Sequence, residues 1–155
     1  MHKTYTVEEA KRKLEHYCSY QDRCHDEVEQ KLKGMNMIQQ ASDVIIAHLI
    51  EHNFLNEERF ARSFARGKFR IKKWGRIRIK NELKLRNISR YNLDVALKEI
   101  PDDEYFSAFD ELAEKQWENI RESDIQKKKK KLFDFLMRKG FESNLIYNKI
   151  SELCK

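Results

Sequence analysis

Apolar residues recur along this chain at helical spacing, and the same pattern occurs three times. In each copy an apolar residue is followed by another four positions later and a third five positions after that: Val28, Leu32 and Met37; Ile79, Leu83 and Ile88; Leu132, Leu136 and Phe141. The copies begin about 50 residues apart, a period that holds about three short helices. The pattern predicts a tandem array of helical repeats, in which the three leucines are equivalent buried residues.

Capping residues and helix breakers divide each copy into three helices. The predicted N-caps are Thr6 with Glu9, then Ser19, Asn56, Ser89 and Ser143. The predicted helix ends or breaks lie at Gly34, Gly75, Pro101 and Gly140. We therefore predict an all-α fold of three tandem three-helix repeats, nine helices in an elongated, curved array, with the repeats at residues 1–53, 54–101 and 102–155. Aromatic residues at helical spacing are assigned to the core: Phe60, Phe64, Phe106, Phe109 and Trp117.

The composition agrees with a charged, helical protein. Of its 155 residues 37% are charged, and one proline and four glycines are few for a fold rich in strands and turns. The net charge of +6 favours an anionic partner. Three cysteines, an odd number, fit reduced thiols. No apolar run reaches the roughly 18 residues of a membrane span and no secretory segment follows Met1, so a cytoplasmic protein without membrane contact is expected. From the repeated helix pattern we expect a monomer.

Positive charge is concentrated in the middle of the chain. Residues 66–90 hold eleven lysines and arginines against Glu82 alone, residues 102–124 hold nine acidic residues, and residues 127–131 are all lysine. Arg76, Lys80 and Lys84 fall four apart on one helical face, a spacing suited to phosphates or carboxylates. The candidate contact residues for a partner or nucleic acid are Arg70, Lys73, Trp74, Arg76, Lys80 and Lys84, followed by Lys128 and Lys129. Trp74 is either a core residue or a platform for a base.

Motifs for metal binding or catalysis are missing from the sequence. Cys18 and Cys24 are six apart and have no second pair, and His48 and His52 lack the glutamate of a zinc-protease helix. There is no glycine-rich phosphate loop and no nucleophile elbow. We expect no metal, no cofactor and no enzymatic activity.

Three segments carry a resemblance to a known family. Asn53–Ala61 (NFLNEERFA) is similar to the (G/N)-(Y/F)-(L/I)-(D/N)-(D/E)-x-R-(F/Y)-A signature of the RecX family. Gly75–Leu83 (GRIRIKNEL) resembles its G-x-x-x-I-x-x-E-L segment, and Glu27–Leu32 (EVEQKL) its E-(L/V)-x-x-K-L segment. The resemblance covers roughly residues 5–100. One departure is Cys24, which stands where a serine is common, in a capping position.

The resemblance implies an all-helical modulator of the bacterial RecA recombinase. Such proteins lie in the groove of RecA–DNA filaments and restrain ATP hydrolysis, strand exchange and co-protease activity in recombination, DNA repair and the SOS response. Contacts to single- or double-stranded DNA would then be made to phosphates. The signature's Arg59 is assigned to a structural ion pair.

Two alternatives remain open at this point. The second and third helices of each repeat resemble a helix-turn-helix, so the chain could act on DNA directly as a repressor. Few Arg, Asn or Gln occupy the candidate recognition helices Ser42–His52, Arg90–Ile100 and Ser143–Leu153, which weighs against that alternative. The other alternative is a scaffold that binds acidic proteins without DNA.

Overall fold

The computed structural model describes residues 4–155, and within that range the chain forms nine helices and no strand. The helices are α1 Val7–Tyr20, α2 His25–Gly34, α3 Gln39–Glu51, α4 Glu57–Arg70, α5 Arg76–Leu85, α6 Arg90–Leu97, α7 Asp102–Asn119, α8 Ile125–Lys139 and α9 Ser143–Leu153. The closest helix packing falls within three successive triplets, α1–α3, α4–α6 and α7–α9. The predicted all-α, three-helix-repeat architecture is therefore confirmed, while the residue boundaries between repeats stay a prediction. We call the triplets repeats 1, 2 and 3.

The three repeats share one structural element at the end of their second helix. Leu32, Leu83 and Leu136 are all fully buried. Four residues after each leucine the backbone is left-handed, at Asn36 (φ 59°), Asn87 (φ 59°) and Gly140 (φ 96°). The following amide donates back to the leucine carbonyl at N–O distances of 3.1, 3.2 and 3.2 Å, respectively. This is a Schellman-type helix end, and it explains why the third apolar residue of each copy packs beneath its own helix terminus.

Most predicted caps are confirmed, since a cap is a local interaction. Thr6 and Glu9 form the reciprocal capping box. The Asn56 side chain accepts the Arg59 amide at 2.9 Å, and the Ser89 hydroxyl accepts the Asn92 amide at 3.3 Å.

Two predicted caps are wrong. Ser19 lies inside α1, where its hydroxyl donates to the Glu15 carbonyl at 2.8 Å. The helix continues past it because Cys18 extends its buried face, and α2 begins only after Cys24, whose amide donates to the Glu27 carboxylate at 3.2 Å. Ser143 is the first residue of α9 and not its cap, a position that Glu142 takes without a side-chain cap bond.

The aromatic face of α7 differs from the prediction by one position. Phe106 is 42% exposed, whereas Tyr105 is fully buried. Tyr105, Phe109 and Ala113 follow one another at four-residue spacing and form the inward face. A tyrosine can take this place because its hydroxyl finds partners: it accepts the Arg76 amide at 3.0 Å and donates to the Glu142 carboxylate.

The apolar core is divided unevenly among the repeats. Repeat 1 has a cluster of its own, built around Leu14, Leu32 and Leu49. A second cluster runs without interruption through repeats 2 and 3 and takes in Cys24 from repeat 1. The accessible surface of 10083 Å² exceeds the roughly 8300 Å² expected for a compact chain of this mass, as an elongated array requires. Across residues 4–155, no helix combines the length and the apolar character needed to cross a membrane.

Candidate interaction surface

The solvent face of α5 carries two lysines without partners. Ile79 and Leu83 point into the core, so Lys80 and Lys84, each one position later, stand on the exposed side. Neither ammonium group has a hydrogen bond or an ion pair within residues 4–155. Both line a cleft of about 440 Å³ between α5 and α6, together with Arg90 and one carboxylate, Asp94. These cations are free to meet an external anion.

Lys73 is a third unpaired cation, and its backbone is unusual. The residue is exposed and has a φ of 59°. The other left-handed positions of the described chain are held by Asn36, Asn53, Asn87 and Gly140. Asparagine and glycine adopt this conformation readily, whereas for a lysine it costs about 1 kcal/mol or more. Lys73 thus has an unfavourable backbone conformation and, among the described residues, no internal partner for its charge. This combination indicates that its side chain contacts a partner outside the chain.

Arg76 does not extend the row of Lys80 and Lys84. Its guanidinium donates to the Ile100 carbonyl at 3.1 Å and to Asp102 Oδ1 at 2.6 Å, and it lies 4.1 Å from the centre of the Tyr105 ring. Only a quarter of the side chain is exposed. The structure places Arg76 at the junction of repeats 2 and 3, which corrects the interpretation of these three residues as one exposed face.

Arg70 and Trp74 lie beside these lysines in the sequence, and both already contact other side chains of the chain. Arg70 lies 3.8 Å from Glu104, and both side chains are about half exposed, so this pair is weak. The indole of Trp74 is half-buried, with Phe64 at its edge and the Arg78 guanidinium 4.1 Å from its ring centre. A base would have to replace the arginine on that face.

The lysine run at the start of α8 is divided among different contacts. Lys128 Nζ lies 4.2 Å from the centre of the Trp117 ring, and Lys129 is half-buried without an acidic partner. Lys130 and Lys131 pair with Asp134 and Glu122 at 3.1 and 3.2 Å. The run therefore presents no single positive face and lies on a different repeat from Lys80.

A cluster of cations that the sequence analysis missed lies between repeats 2 and 3. Lys139 Nζ donates to the Lys72 carbonyl at 3.0 Å, and Arg78 donates to the Arg138 carbonyl at 3.1 Å. Burial, with smaller effects from Arg78 and Lys72, lowers the pKa of Lys139. The two bonds join residues that are 67 and 60 positions apart in the chain, so no local pattern marks this contact.

Arg59 has the structural role expected of it. Its Nε donates to Asp22 at 2.6 Å, and its Nη2 donates to the carbonyls of Asn53 and Phe54 at 3.0 and 3.1 Å. The Asp22 bond joins α4 to the segment between α1 and α2, and the other two bonds hold the segment between α3 and α4. The predicted ion pair is confirmed, and the guanidinium is engaged within the chain.

Known proteins share this architecture. Two family models match, described as RecX, second three-helix domain, over residues 56–97 and RecX, third three-helix domain, over residues 102–150. The chain is similar to the regulatory protein RecX of Bacillus cytotoxicus, with 27% identity over 137 residues, 88% of this chain and 51% of that protein. It is also similar to the regulatory protein RecX of Clostridioides difficile, with 26% identity over 147 residues, 93% of this chain and 68% of that protein. The chain thus spans about half the length of the first relative and just over two thirds of the second.

Solved structures agree with the sequence matches. The crystal structure of RecX from Lactobacillus salivarius superposes with a TM-score of 0.79 at 27% identity and covers 95% of this chain and 96% of that one. A second crystal structure, of a regulatory protein RecX, gives a TM-score of 0.80 at 22% identity, a likeness of fold alone, over 94% of this chain and 75% of that one.

Proposed function

The chain belongs to the RecX family of regulatory proteins, and from this we propose that it binds RecA filaments on DNA. Bound there, it restrains ATP hydrolysis, strand exchange and co-protease activity. On this proposal it is a cytoplasmic monomer whose partners are the RecA filament and, through phosphates, the single- or double-stranded DNA that the filament carries.

One observation carries the proposal: the exposed, unpaired lysines of repeat 2. Lys80 and Lys84 share the solvent face of α5, and Lys73 lies just before that helix. A lysine paired with an internal carboxylate interacts only weakly with an outside anion, because its charge is already neutralised. Within residues 4–155 these three lysines have no such partner, so each can attract an outside anion with its full charge. We assign them the main contact, with lesser contacts at Arg70 and Trp74 beside them and at Lys128 and Lys129 on repeat 3. Arg76 acts indirectly, by holding repeat 3 against repeat 2.

The contact residues favour a filament modulator over a sequence-specific repressor. A repressor reads base edges with Arg, Asn or Gln on its recognition helix. Here the free lysines lie on α5 or just before it, and α5 is the helix before the candidate recognition helix α6. Lysine is a point charge that meets phosphates and carboxylates with little regard to base sequence.

The test is inhibition of RecA's DNA-dependent ATP hydrolysis by charge-reversed variants. We expect Lys80→Glu/Lys84→Glu to inhibit less than the parent and to co-sediment less with RecA filaments formed on single-stranded DNA. The salt dependence of binding should also flatten, by about 0.7–0.9 in log–log slope for each phosphate that the variant no longer neutralises. Both side chains are exposed and unpaired, so thermal stability should be unchanged.

The matched variant reverses two lysines on another repeat. Lys128→Glu/Lys129→Glu makes the same change in net charge and should reduce inhibition less, compared at equal thermal stability. If the α5 variant inhibits as well as the parent while the α8 variant fails, the contact surface is on repeat 3 and our assignment is wrong. If the parent protein does not bind or inhibit RecA but binds one DNA sequence preferentially, the result would support the repressor alternative.

A further inference from the structure

A second positive surface lies on repeat 1, away from α5. A cleft of about 500 Å³ opens beside α1, lined by four lysines and arginines, one histidine and two tyrosines. That volume is within the range of sites that hold small ligands. No carboxylate of residues 4–155 is among the lining side chains. The proposed function does not use this cleft.

The spacing of residues on α1 builds one wall of the cleft. Ala10, Leu14 and Cys18 point into the core of repeat 1 at four-residue spacing. Arg12, His16 and Tyr20 have the same spacing on the solvent side, and all three are exposed. The outer surface of α1 thus combines a cation and an aromatic ring in one row.

The floor of the cleft is a tyrosine ring covered by cations. The guanidinium of Arg23 lies 3.7 Å from the centre of the Tyr17 ring, and Lys31 Nζ, from α2, lies 5.4 Å from it. Arg23 also has Glu27 at 3.6 Å, while Lys31 has no carboxylate partner in the described chain. Lys13 contributes a further exposed cation, next to the Tyr5 ring. The side chains that line the cleft therefore carry a net positive charge close to aromatic surface.

Tyr20 is the least expected residue of this surface. Its side chain is 76% exposed, and its ring packs against no other aromatic ring or cation in the described chain. A phenol ring left open in water, beside a group of cations, can bind a planar group and its attached anion together. Single-stranded nucleic acid offers that combination, since its bases expose their faces and its phosphates follow at short intervals. A duplex hides its base faces, and an acidic peptide would use the cations but not the ring.

We propose that this cleft of repeat 1 binds a single strand of nucleic acid, with phosphates on Lys13 and Lys31 and a base stacked on Tyr20. The site is separate from Lys80 and Lys84 and does not require RecA. It gives the chain a contact to unpaired strands that differs in kind from the phosphate contacts of α5, because it depends on stacking.

The experiment measures binding of the full chain to fluorescent oligonucleotides, without RecA. An oligothymidine of about 15 nucleotides and a duplex of equal length are compared by anisotropy. Tyr20→Ala should weaken single-strand binding about 5- to 150-fold, which is the usual effect of removing one stacked base, and change duplex binding little. Tyr20→Phe should bind as the parent does, because it keeps the ring. Tyr147→Ala removes an exposed tyrosine from α9 and should have no effect.

A charge variant tests the phosphate side of the site. Lys31→Glu should weaken single-strand binding and flatten its salt slope by about 0.7. Lys33→Glu, an equal change at an exposed lysine of α2 outside the cleft, should do neither. The inference fails if Tyr20→Ala binds single strands as the parent does, if single-strand and duplex binding fall together, or if the two lysine variants behave alike. Because RecA is absent, these results are independent of the ATPase test of Lys80 and Lys84.

Discussion

Gly75 is the position at which the smallest change should do the most damage. It precedes α5 and lies against the end of α8, where a β-carbon added to it would be 2.3 Å from the Gly140 carbonyl oxygen and 2.5 Å from the Phe141 amide nitrogen. Those are backbone atoms, so no side-chain rotation relieves the clash. Gly75→Ala must therefore push repeat 3 away from repeat 2.

The cost follows from the bonds that hold this junction. The Gly75 amide donates to the Lys139 carbonyl at 2.7 Å, and the Ile77 amide donates to the Gly140 carbonyl at 3.0 Å. Each contributes about 1 kcal/mol net, and more if its groups stay buried and unpaired. With some loosening of the core that repeats 2 and 3 share, we expect the free energy of unfolding to fall by about 2–5 kcal/mol. For a chain of this length that lowers Tm by roughly 4–20 °C.

Gly67→Ala is the matched control. Gly67 lies within α4, and an added β-carbon there meets nothing within 4 Å. The same substitution should therefore stabilise the helix by about 0.5–1 kcal/mol. We expect thermal and urea unfolding, followed by circular dichroism, to show a lower free energy of unfolding for Gly75→Ala than for the parent. The same measurements should show a higher one for Gly67→Ala. A Gly75→Ala variant as stable as the parent would refute the close approach of the two backbones.

Three further outcomes are expected. The equivalent buried leucines are Leu32, Leu83 and Leu136. Replacing any one of them with alanine should lower the free energy of unfolding in urea by about 2–5 kcal/mol. Small effects at two of the three positions would reject the repeat alignment. Burial raises the pKa of the Cys24 thiol from its ordinary 9.0 to about 11. The unfolded chain then releases this proton first, so stability should fall from about pH 9 to pH 11 by up to about 1.4 kcal/mol per unit, a fall that Cys24→Ser should reduce. Lys73→Asn should stabilise the fold by up to about 1 kcal/mol, because asparagine suits the left-handed backbone, yet weaken RecA inhibition; unchanged inhibition would remove Lys73 from the contact surface.

The sequence predicted what local chemistry decides. Thr6, Asn56 and Ser89 cap helices because their side chains bond to amides within three residues. Ser19 offers the same chemistry but caps no helix, because burial of Cys18 extends α1 beyond it. The free energy gained by a capping hydrogen bond competes with the free energy gained by burying apolar side chains. Here the free energy of burial is larger and decides where the helix ends.

The contact surface was harder to predict from the sequence. Whether a lysine or arginine is paired within the chain depends on residues that are distant in the sequence. Arg76 and Lys80 are indistinguishable in the sequence pattern. Arg76 is engaged because Asp102 and Tyr105, 26 and 29 residues further along the chain, pack against the start of α5. No described residue of repeat 3 pairs with Lys80, so that lysine stays free. The helical spacing placed both side chains on one side of α5, and only the tertiary fold separates them.

The two junctions between repeats depend on different forces. Repeat 1 meets repeat 2 mainly through polar bonds, with Arg59 on Asp22 at 2.6 Å and Asn87 on Asp26 at 3.0 Å, and adds the buried Cys24 side chain to the core of repeat 2. Repeat 2 meets repeat 3 through a shared apolar core and the backbone contact at Gly75. Water can replace polar contacts that are partly or fully open to solvent at a cost of about 1 kcal/mol each, whereas opening the core exposes buried side chains at about 1.5–3 kcal/mol each. The chain should therefore bend first between α3 and α4. Such a bend changes the distance between the cleft of repeat 1 and the lysines of α5, while repeats 2 and 3 keep Lys73, Lys80 and Lys84 in fixed register.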